Sequence, residues 1–528
     1  MRLGLPPRDG HGPETKHNAE RGDTTANGGD ATHKGDDLFL SANGAAQSVA
    51  RDGCLANCHP PIQYSGSMTD ESALRGCRVA IAGAGLAGLT AAYRAEAQGA
   101  EVVVFEPRTR VGGRVWTRRD GFQFGQFAEA GADLIDEAHT ALRDLARELE
   151  VPLTPILRDG FGYARRGDTG TVTLHSSSPD AATGWAHLAD RLAPILHAYR
   201  SAGGDWNAPA LQSLGEVSVA TWAAAFRGDD DLHATLAGLR SFFLADPDQL
   251  SLLPVLDLFA SLDEDWGGTY RAVPGNSAIP EALAARLHRH VQFDTAVTAI
   301  RQDGDGVRLT LRGSDRLQEW RGDAAILAVP AAVLPEVAFF PTLPLPQARA
   351  LATLATGRAT KTLLQTATRF WRAPNRPLAL GTPFDIGALW DANEQQAGAA
   401  GILSLLAGGS ASLTTDERTD GQGLDGVLSA LGWLGSTNAS IIGGHQTRWH
   451  QDPWARGGYA AFTTAFRPDD RAWLGRRHGR IVFAGEYASR AWQGYMNGAV
   501  ESGAAAAALL GALWPRGGLE RAATPTEP

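Results

Sequence analysis

Three glycines at fixed spacing, Gly83, Gly85 and Gly88 in RVAIAGAGLAGLTAAY, are the first residues whose arrangement could do chemistry. They follow a β-branched run, Val79 to Ile81, and precede a stretch in which Leu86, Leu89, Ala92 and Tyr93 mark one apolar helical face. Strand, tight turn and helix in that order let a backbone approach a pyrophosphate. The exposed N–H groups and dipole of the helix N-terminus favour its charge. A second strand, Val102 to Phe105, ends at Glu106, eighteen residues past Gly88, where a carboxylate can accept hydrogen bonds from ribose hydroxyls. Leu86 and Ala87 at the helix entrance, and Pro107 and Arg108 after the carboxylate, are placed with the same dinucleotide. NAD and FAD both fit this much. Near the other end, AWQGYMNGAVESG sets Tyr495 between Gly494 and a helix that begins near Met496. Alone, it is an aromatic packed at a helix entrance.

The continuation of the first motif separates the cofactors. The run from Glu106 to Arg114, EPRTRVGGR, adds a flexible turn at Gly112 and Gly113 and then a cation. It resembles the E-x-R-x-R-x-GGR signature of the flavin amine oxidase family, in which the arginine matching Arg114 lies by the FAD pyrophosphate. The resemblance continues in order from about residue 77 to 513. YRAVPGNSAIPEALAARL and VQFDTAVTAIRQDGDGV are similar to the segment near the adenine, which gives Val297 the position whose backbone meets that ring; Asn276 and Ser277 depart from the family's second glycine there. GRATKTLLQTATRFW is similar to the strand that carries a lysine near the flavin, here Lys361. IVFAGEYASRAWQGYMNGAV resembles the closing FAD motif, with Gly485 and Glu486 toward the ribityl chain and Gly494, Tyr495 and Met496 at the flavin ring. TRWHQDPWARGGYAAF places Tyr459 where monoamine oxidases carry the second tyrosine of an aromatic pair.

What the resemblance implies is oxidation of an amine to an imine by hydride transfer to flavin N5. Water then hydrolyses the imine to an aldehyde or ketone, and O2 reoxidises the flavin to give H2O2. Tyr459 and Tyr495 would flank the amine, and Lys361 would hold a water and supply positive charge for oxygen. Gly458 stands where monoamine oxidases have a tethering cysteine, so FAD is expected to be noncovalent. Amino-acid oxidases of the family place an arginine beyond GGR where this chain has Ala132, Asp133 and Leu134, which favours an amine over an amino acid. Asp133 or Glu137 could select a second cationic group, as surface carboxylates could equally stand there. The alternatives carried forward are an L-amino-acid oxidase, a non-amine flavin dehydrogenase or desaturase, and a non-catalytic flavoprotein.

The elements that must position these residues need a large chain. At 528 residues and 43% hydrophobic composition, it exceeds what one core usually serves. The expected class is α/β plus α+β, a Rossmann-type FAD-binding domain interleaved with a mixed-sheet and helical substrate domain. FAD-binding segments are assigned to residues 76–150, 268–332 and 452–515, and substrate-domain segments to 151–267 and 333–451. Residues 181–260 read as mostly helical and would cap the substrate cavity. Residues 1–75, poor in periodic apolar positions, read as a disordered tail ahead of an ordinary start at Met68, and 516–528 as a second tail. A net charge of −10 offers no footprint for nucleic acid. Cys54, Cys58 and Cys77 are too few for a disulfide framework, and Cys54, Cys58 and His59 lack a second ligand pair, so no metal is expected. No signal peptide or membrane anchor is read, which places the chain in the cytoplasm, with a homodimer left open.

Overall fold

The computed structural model describes residues 73–514 apart from 159, 168, 177–183, 261–267, 315 and 375. The readings for the C-terminal tail, for Cys54, Cys58 and His59, and for all but 73–75 of the N-terminal tail lie outside these residues. The elements that carry the site are, in chain order, β1 (Arg78–Ala82), α1 (Leu86–Ala97) and β2 (Glu101–Phe105); α2 (Gly184–Ser201), α3 (Asp230–Phe243) and α4 (Leu252–Ala260); β3 (Thr269–Ala272), β4 (Ala296–Gln302) and β5 (Ala324–Leu327); β6 (Ala359–Thr366), β7 (Ala388–Asp391), β8 (Gly401–Gly408) and β9 (Ile441–Arg448); and last β10 (Ile481–Phe483) and α5 (Met496–Leu513).

Four of these strands form a parallel sheet in the order β2–β1–β5–β10. Their sequences, RVAIA, EVVVF, AAIL and IVF, are short apolar runs buried along nearly their whole length, as strands covered on both faces must be. The helices α1 and α5 pack closely because small residues meet there. A Cβ added at Gly503 would stand 2.2 Å from the Ala87 carbonyl oxygen, and Ala504, Ala506 and Ala507 beside it are buried.

A second, seven-stranded mixed sheet begins β9–β6–β8–β7 and is completed by residues 379–381, 161–166 and 172–176. Its inner strand β6, ATKTLLQT, next to the edge strand β9, is buried at every position and is paired antiparallel on both sides. The expected helical stretch is present as α2, α3 and α4, whose apolar faces bring Trp185, Leu239, Phe242, Phe243, Pro254 and Leu258 to one cavity wall. No helix among the described residues is long and apolar enough to cross a membrane.

Candidate active site

One cavity, about 2270 Å³ with its open mouth included, runs from the parallel sheet to the helical wall. Its first end is built by the loop between β1 and α1, where Gly83, Gly85, Leu86 and Ala87 line the wall. Gly83 has φ +101 and donates its N–H to the Phe105 carbonyl at 2.8 Å. Gly85, the N-cap of α1, has no side-chain cap and no acidic residue in the turn that follows, and a Cβ there would meet nothing within 4 Å. The first amides of α1 therefore face open space, which is what an anion needs.

Glu106 stands beside that opening. Its Oε2 accepts the Ala84 N–H at 2.8 Å and its Oε1 the Arg108 N–H at 3.1 Å, so each oxygen keeps a lone pair for a ligand hydroxyl. Pro107, Arg108, Gly112, Gly113 and Arg114 complete this end, and Arg108 is braced by Asp452 at 2.6 Å. Arg114 makes a two-pronged ion pair with Glu486, Nη1 to Oε1 at 3.0 Å and Nη2 to Oε2 at 2.8 Å, and also donates to the Gly458 carbonyl. Burial pushes the Glu486 carboxyl up, but the Arg114 charge and its hydrogen bonds outweigh this and hold it below the usual range. An uncapped helix end, open space over Gly85, an acceptor carboxylate and a paired arginine suit a flavin dinucleotide.

Two residues assigned to the cofactor do not line this cavity. Gly88 serves one layer behind it, since a Cβ there would fall 1.9 Å from the Gly83 carbonyl oxygen and 3.1 Å from Ala328 Cβ. Val297 is part-buried in β4, opposite Leu311 and against the hydrophobic core.

The second end is aromatic. Gly485, Gly494, Tyr495 and Met496 reach it from the loop before α5, whose N-terminal turn carries no acidic residue. Tyr459 lies against Gly494, where φ is +83 and an added Cβ would sit 3.1 Å from the tyrosine Cδ2. The Tyr459 hydroxyl donates to the Phe242 carbonyl at 2.8 Å, tying this wall to the last residue but one of α3. Burial raises its pKa, and the nearby Tyr495 adds to the effect. The Tyr495 ring is braced edge-on by His139 at 5.2 Å and Trp492 at 5.7 Å.

Lys361, on β6, lines the same cavity at 3% exposure. Its ammonium donates to the Gly131 carbonyl at 2.8 Å and to Asp133 Oδ2 at 3.1 Å, and lies 4.9 Å from the ring centre of Trp390 on β7. Asp133 is also held by Arg271 on β3, at 2.7 Å, and by Trp390 Nε1 at 2.8 Å. The expectation that Asp133 or Glu137 could select a second cationic group is thereby corrected. Asp133 is spent on the chain's own cations, and Glu137 is bound by Tyr270 and by Arg143 at 2.6 Å and does not line the cavity. The Asp133–Arg271–Trp390 set escaped sequence reading because its members are distant in the chain. One signal was available: Lys361 is the single lysine among the described residues, with only Lys16 and Lys34 elsewhere, in a chain of 48 Lys and Arg.

Beneath this set, Glu129 is fully buried and accepts from the Thr117 hydroxyl and from the Asn276 N–H at 2.9 Å. Burial pushes its carboxyl up to about 7, with the Asp133 charge adding and the Asn276 amide, Arg271 and Thr117 opposing. The folded protein thus keeps a proton that the unfolded chain releases near pH 4.5. Stability from this group is fullest below that pH and declines as pH rises to about 7, by up to about 3 kcal/mol. Replacing Glu129 with Gln should flatten the fall of the melting temperature between pH 5 and pH 7.5 relative to the parent.

The chain is similar to known proteins over most of its length. A Mycobacterium tuberculosis protein that carries the name flavin-containing monoamine oxidase is 31% identical over 459 residues, 82% of this chain and 96% of its own length. Putrescine oxidase of Kocuria rosea is 29% identical over 72% of this chain and 84% of its own. Among solved structures, cyclohexylamine oxidase from Brevibacterium oxydans IH-35A aligns with a TM-score of 0.72 at 26% identity, covering 83% of this chain and 99% of that one. The family model for flavin-containing amine oxidoreductases matches residues 86–510. The chain belongs to that family, and is therefore an FAD-dependent enzyme of amine oxidation.

Proposed function

We propose that the chain oxidises an apolar monoamine bearing a hydrogen on its α-carbon to the imine, which water converts to an aldehyde or ketone. The chemistry that FAD would supply when bound is acceptance of a hydride equivalent from the α-carbon and delivery of the electron pair to O2, which with two protons would leave as H2O2. Gly83, Gly85, Glu106, Arg108 and Arg114 would hold the dinucleotide, and Glu486 and the N-terminus of α5 its flavin half. Tyr459 and Tyr495 would wall the amine and fix its α-carbon, and α2, α3 and α4 would exclude water from it. Lys361 would supply positive charge where oxygen is reduced.

The observation that carries the substrate class is the state of the cavity's carboxylates. Among the described residues four line it, and each has a cation: Glu106 with Arg108 at 3.6 Å, Asp133 with Arg271 at 2.7 Å, Asp257 with Arg471 at 3.2 Å and Glu486 with Arg114 at 2.8 Å. Among the described residues a second ammonium group finds no unmatched charge there, which speaks against a diamine. The described arginines that line it are Arg108 and Arg114, both already paired, which speaks against a substrate carboxylate and so against an L-amino acid.

The test is anaerobic bleaching of the enzyme's flavin by a panel of arylalkyl and cycloalkyl monoamines, aliphatic diamines and L-amino acids. The monoamines should bleach first. A flavin that only diamines or amino acids reduce overturns the substrate class, and one that no amine reduces overturns the reaction. The cofactor itself should be noncovalent. The one cysteine among the described residues, Cys77, is buried, and a Cβ at Gly458 would already stand 2.5 Å from Leu244 Cδ1, so the position before Tyr459 cannot carry a tethering thiol without a shift. Acid precipitation should leave yellow flavin in the supernatant and a colourless pellet.

A further inference from the structure

Lys361 combines three facts. It is the lone lysine of the described residues, it sits at 3% exposure on an inner strand of a sheet, and it reaches the cavity. Among the described residues every other Lys-or-Arg position is an arginine. An arginine offers a planar fork of five donors, whereas an ammonium is a compact charge with three. At Lys361 two of those three N–H groups are consumed, one by the Gly131 carbonyl at 2.8 Å and one by Asp133 Oδ2 at 3.1 Å. The third is left for whatever fills the cavity.

Asp133 is the piece of this arrangement that is fixed from outside. Arg271, fully buried and itself held by Gln395 at 3.0 Å, grips Oδ1. Trp390 donates to Oδ2 at 2.8 Å and offers its ring face to the ammonium at 4.9 Å. Asn276, also fully buried, donates to the Ala132 and Asp133 carbonyls at 3.1 and 2.7 Å and so locks the loop that carries the carboxylate. Asn276 stands where the family motif has a second glycine, and these two hydrogen bonds are what a glycine could not make.

We propose that Asp133, clamped by Arg271, Trp390 and Asn276, is a positioning residue that keeps Lys361 charged and holds one of its donors while the Gly131 carbonyl holds a second, so that a single N–H faces the cavity. The inference rests on the reading of Lys361 as the charge that serves oxygen. The groups that face the ammonium are Asp133 and Glu129 on the acidic side and Arg271 on the basic side, with the Trp390 ring between. Burial lowers the Lys361 pKa, and Asp133, by its charge and its hydrogen bond, is the main force raising it again. Without Asp133 the ammonium keeps only Glu129 against burial and the Arg271 repulsion, and its pKa falls further.

The experiment uses holoenzyme labelled with 13C at lysine Cε. Lys16, Lys34 and Lys361 give the only lysine signals, so that of Lys361 can be assigned by its loss in Lys361→Met. In the parent it should report an ammonium at pH 7.5, and Asp133→Asn should lower its titration midpoint by about one unit or more. The same Asn variant should slow reoxidation of the reduced enzyme by O2 about tenfold, the kinetic equivalent of about one unit, and should add nothing further in a Lys361→Met background. Asp133→Glu, which keeps the charge, should recover most of the loss. A Lys361 midpoint that Asp133→Asn leaves unmoved, or a slowing of equal size in the Lys361→Met background, overturns the proposal. Should Asp133→Asn fail to fold, the parent decides alone: a neutral Lys361 amine at pH 7.5 overturns it. If instead the midpoint moves as expected while Lys361→Met reoxidises at the parent rate, the oxygen role of Lys361 falls and the hold of Asp133 on it stands.

Discussion

Tyr459→Ala and Tyr495→Ala will each slow anaerobic reduction of the flavin by on the order of a hundredfold while the cofactor stays bound. The magnitude is what a misplaced reacting group costs when the wall that orients it is removed. FAD retention follows because Gly85, Glu106 and Arg108 act at the other end of the cavity. Phenylalanine will separate the two positions. At Tyr495 the ring is braced by His139 and Trp492, so Phe keeps the wall and its effect stays small. At Tyr459 the hydroxyl donates to the Phe242 carbonyl, and its loss costs about 1 kcal/mol and loosens the junction with α3. If the tyrosines merely pack, alanine lowers stability by roughly 3–5 kcal/mol without singling out reduction. Flavin reduction by the best amine, melting temperature and FAD content, measured for both Ala variants, distinguish the two. Reduction at the parent rate in a folded Ala variant ends the role assigned to that tyrosine.

The second large effect is expected at Arg114. Removing it leaves Glu486, 6% exposed, as an uncompensated buried carboxylate, a loss of about 3–5 kcal/mol. In the parent the pair holds the Glu486 pKa down, so its stabilisation is present above the unfolded carboxylate range and fades as pH falls. In Arg114→Ala burial dominates and raises that pKa. The deficit relative to the parent should therefore be larger at pH 8 than at pH 5. A second change, Glu486→Gln, should restore much of the melting temperature but not the FAD content, because the cation for the dinucleotide is still missing. A double variant that melts as low as the single would show that the fork's contribution lies elsewhere than in this pair.

How much of this was legible in the sequence depends on distance along the chain. The β1, α1 and β2 unit could be read because its glycines, apolar faces and carboxylate lie within about thirty residues, and the structure places Gly83, Gly85 and Glu106 in the cavity wall. Gly88 was read for the same ligand, yet its place is set by contact with Gly83 and Ala328, the second of which no local spacing reveals. The partners of Lys361 come from residues 131, 133 and 390, and Asp133 is shared with residue 271. Sequence alone left Asp133 looking like a spare carboxylate, since an ion pair formed across three strands and a loop has no period. The exception was compositional. A lone lysine among arginines is a local fact with a structural cause, and it could have been seen.

The parallel sheet is made of strands that begin at residues 78, 101, 324 and 481, and its first helix is closed over by α5, which ends at residue 513. During synthesis the motif nearest the N-terminus must therefore wait for the other end of the polypeptide. Contacts of such separation are slow to form, because a long loop must close before any of them stabilises the fold. Until then the exposed edge of β1 and the bare face of α1 are sites for misassociation. Cofactor capture becomes a late event, and added FAD, which binds only the completed sheet, should raise the yield of folded enzyme when present during expression.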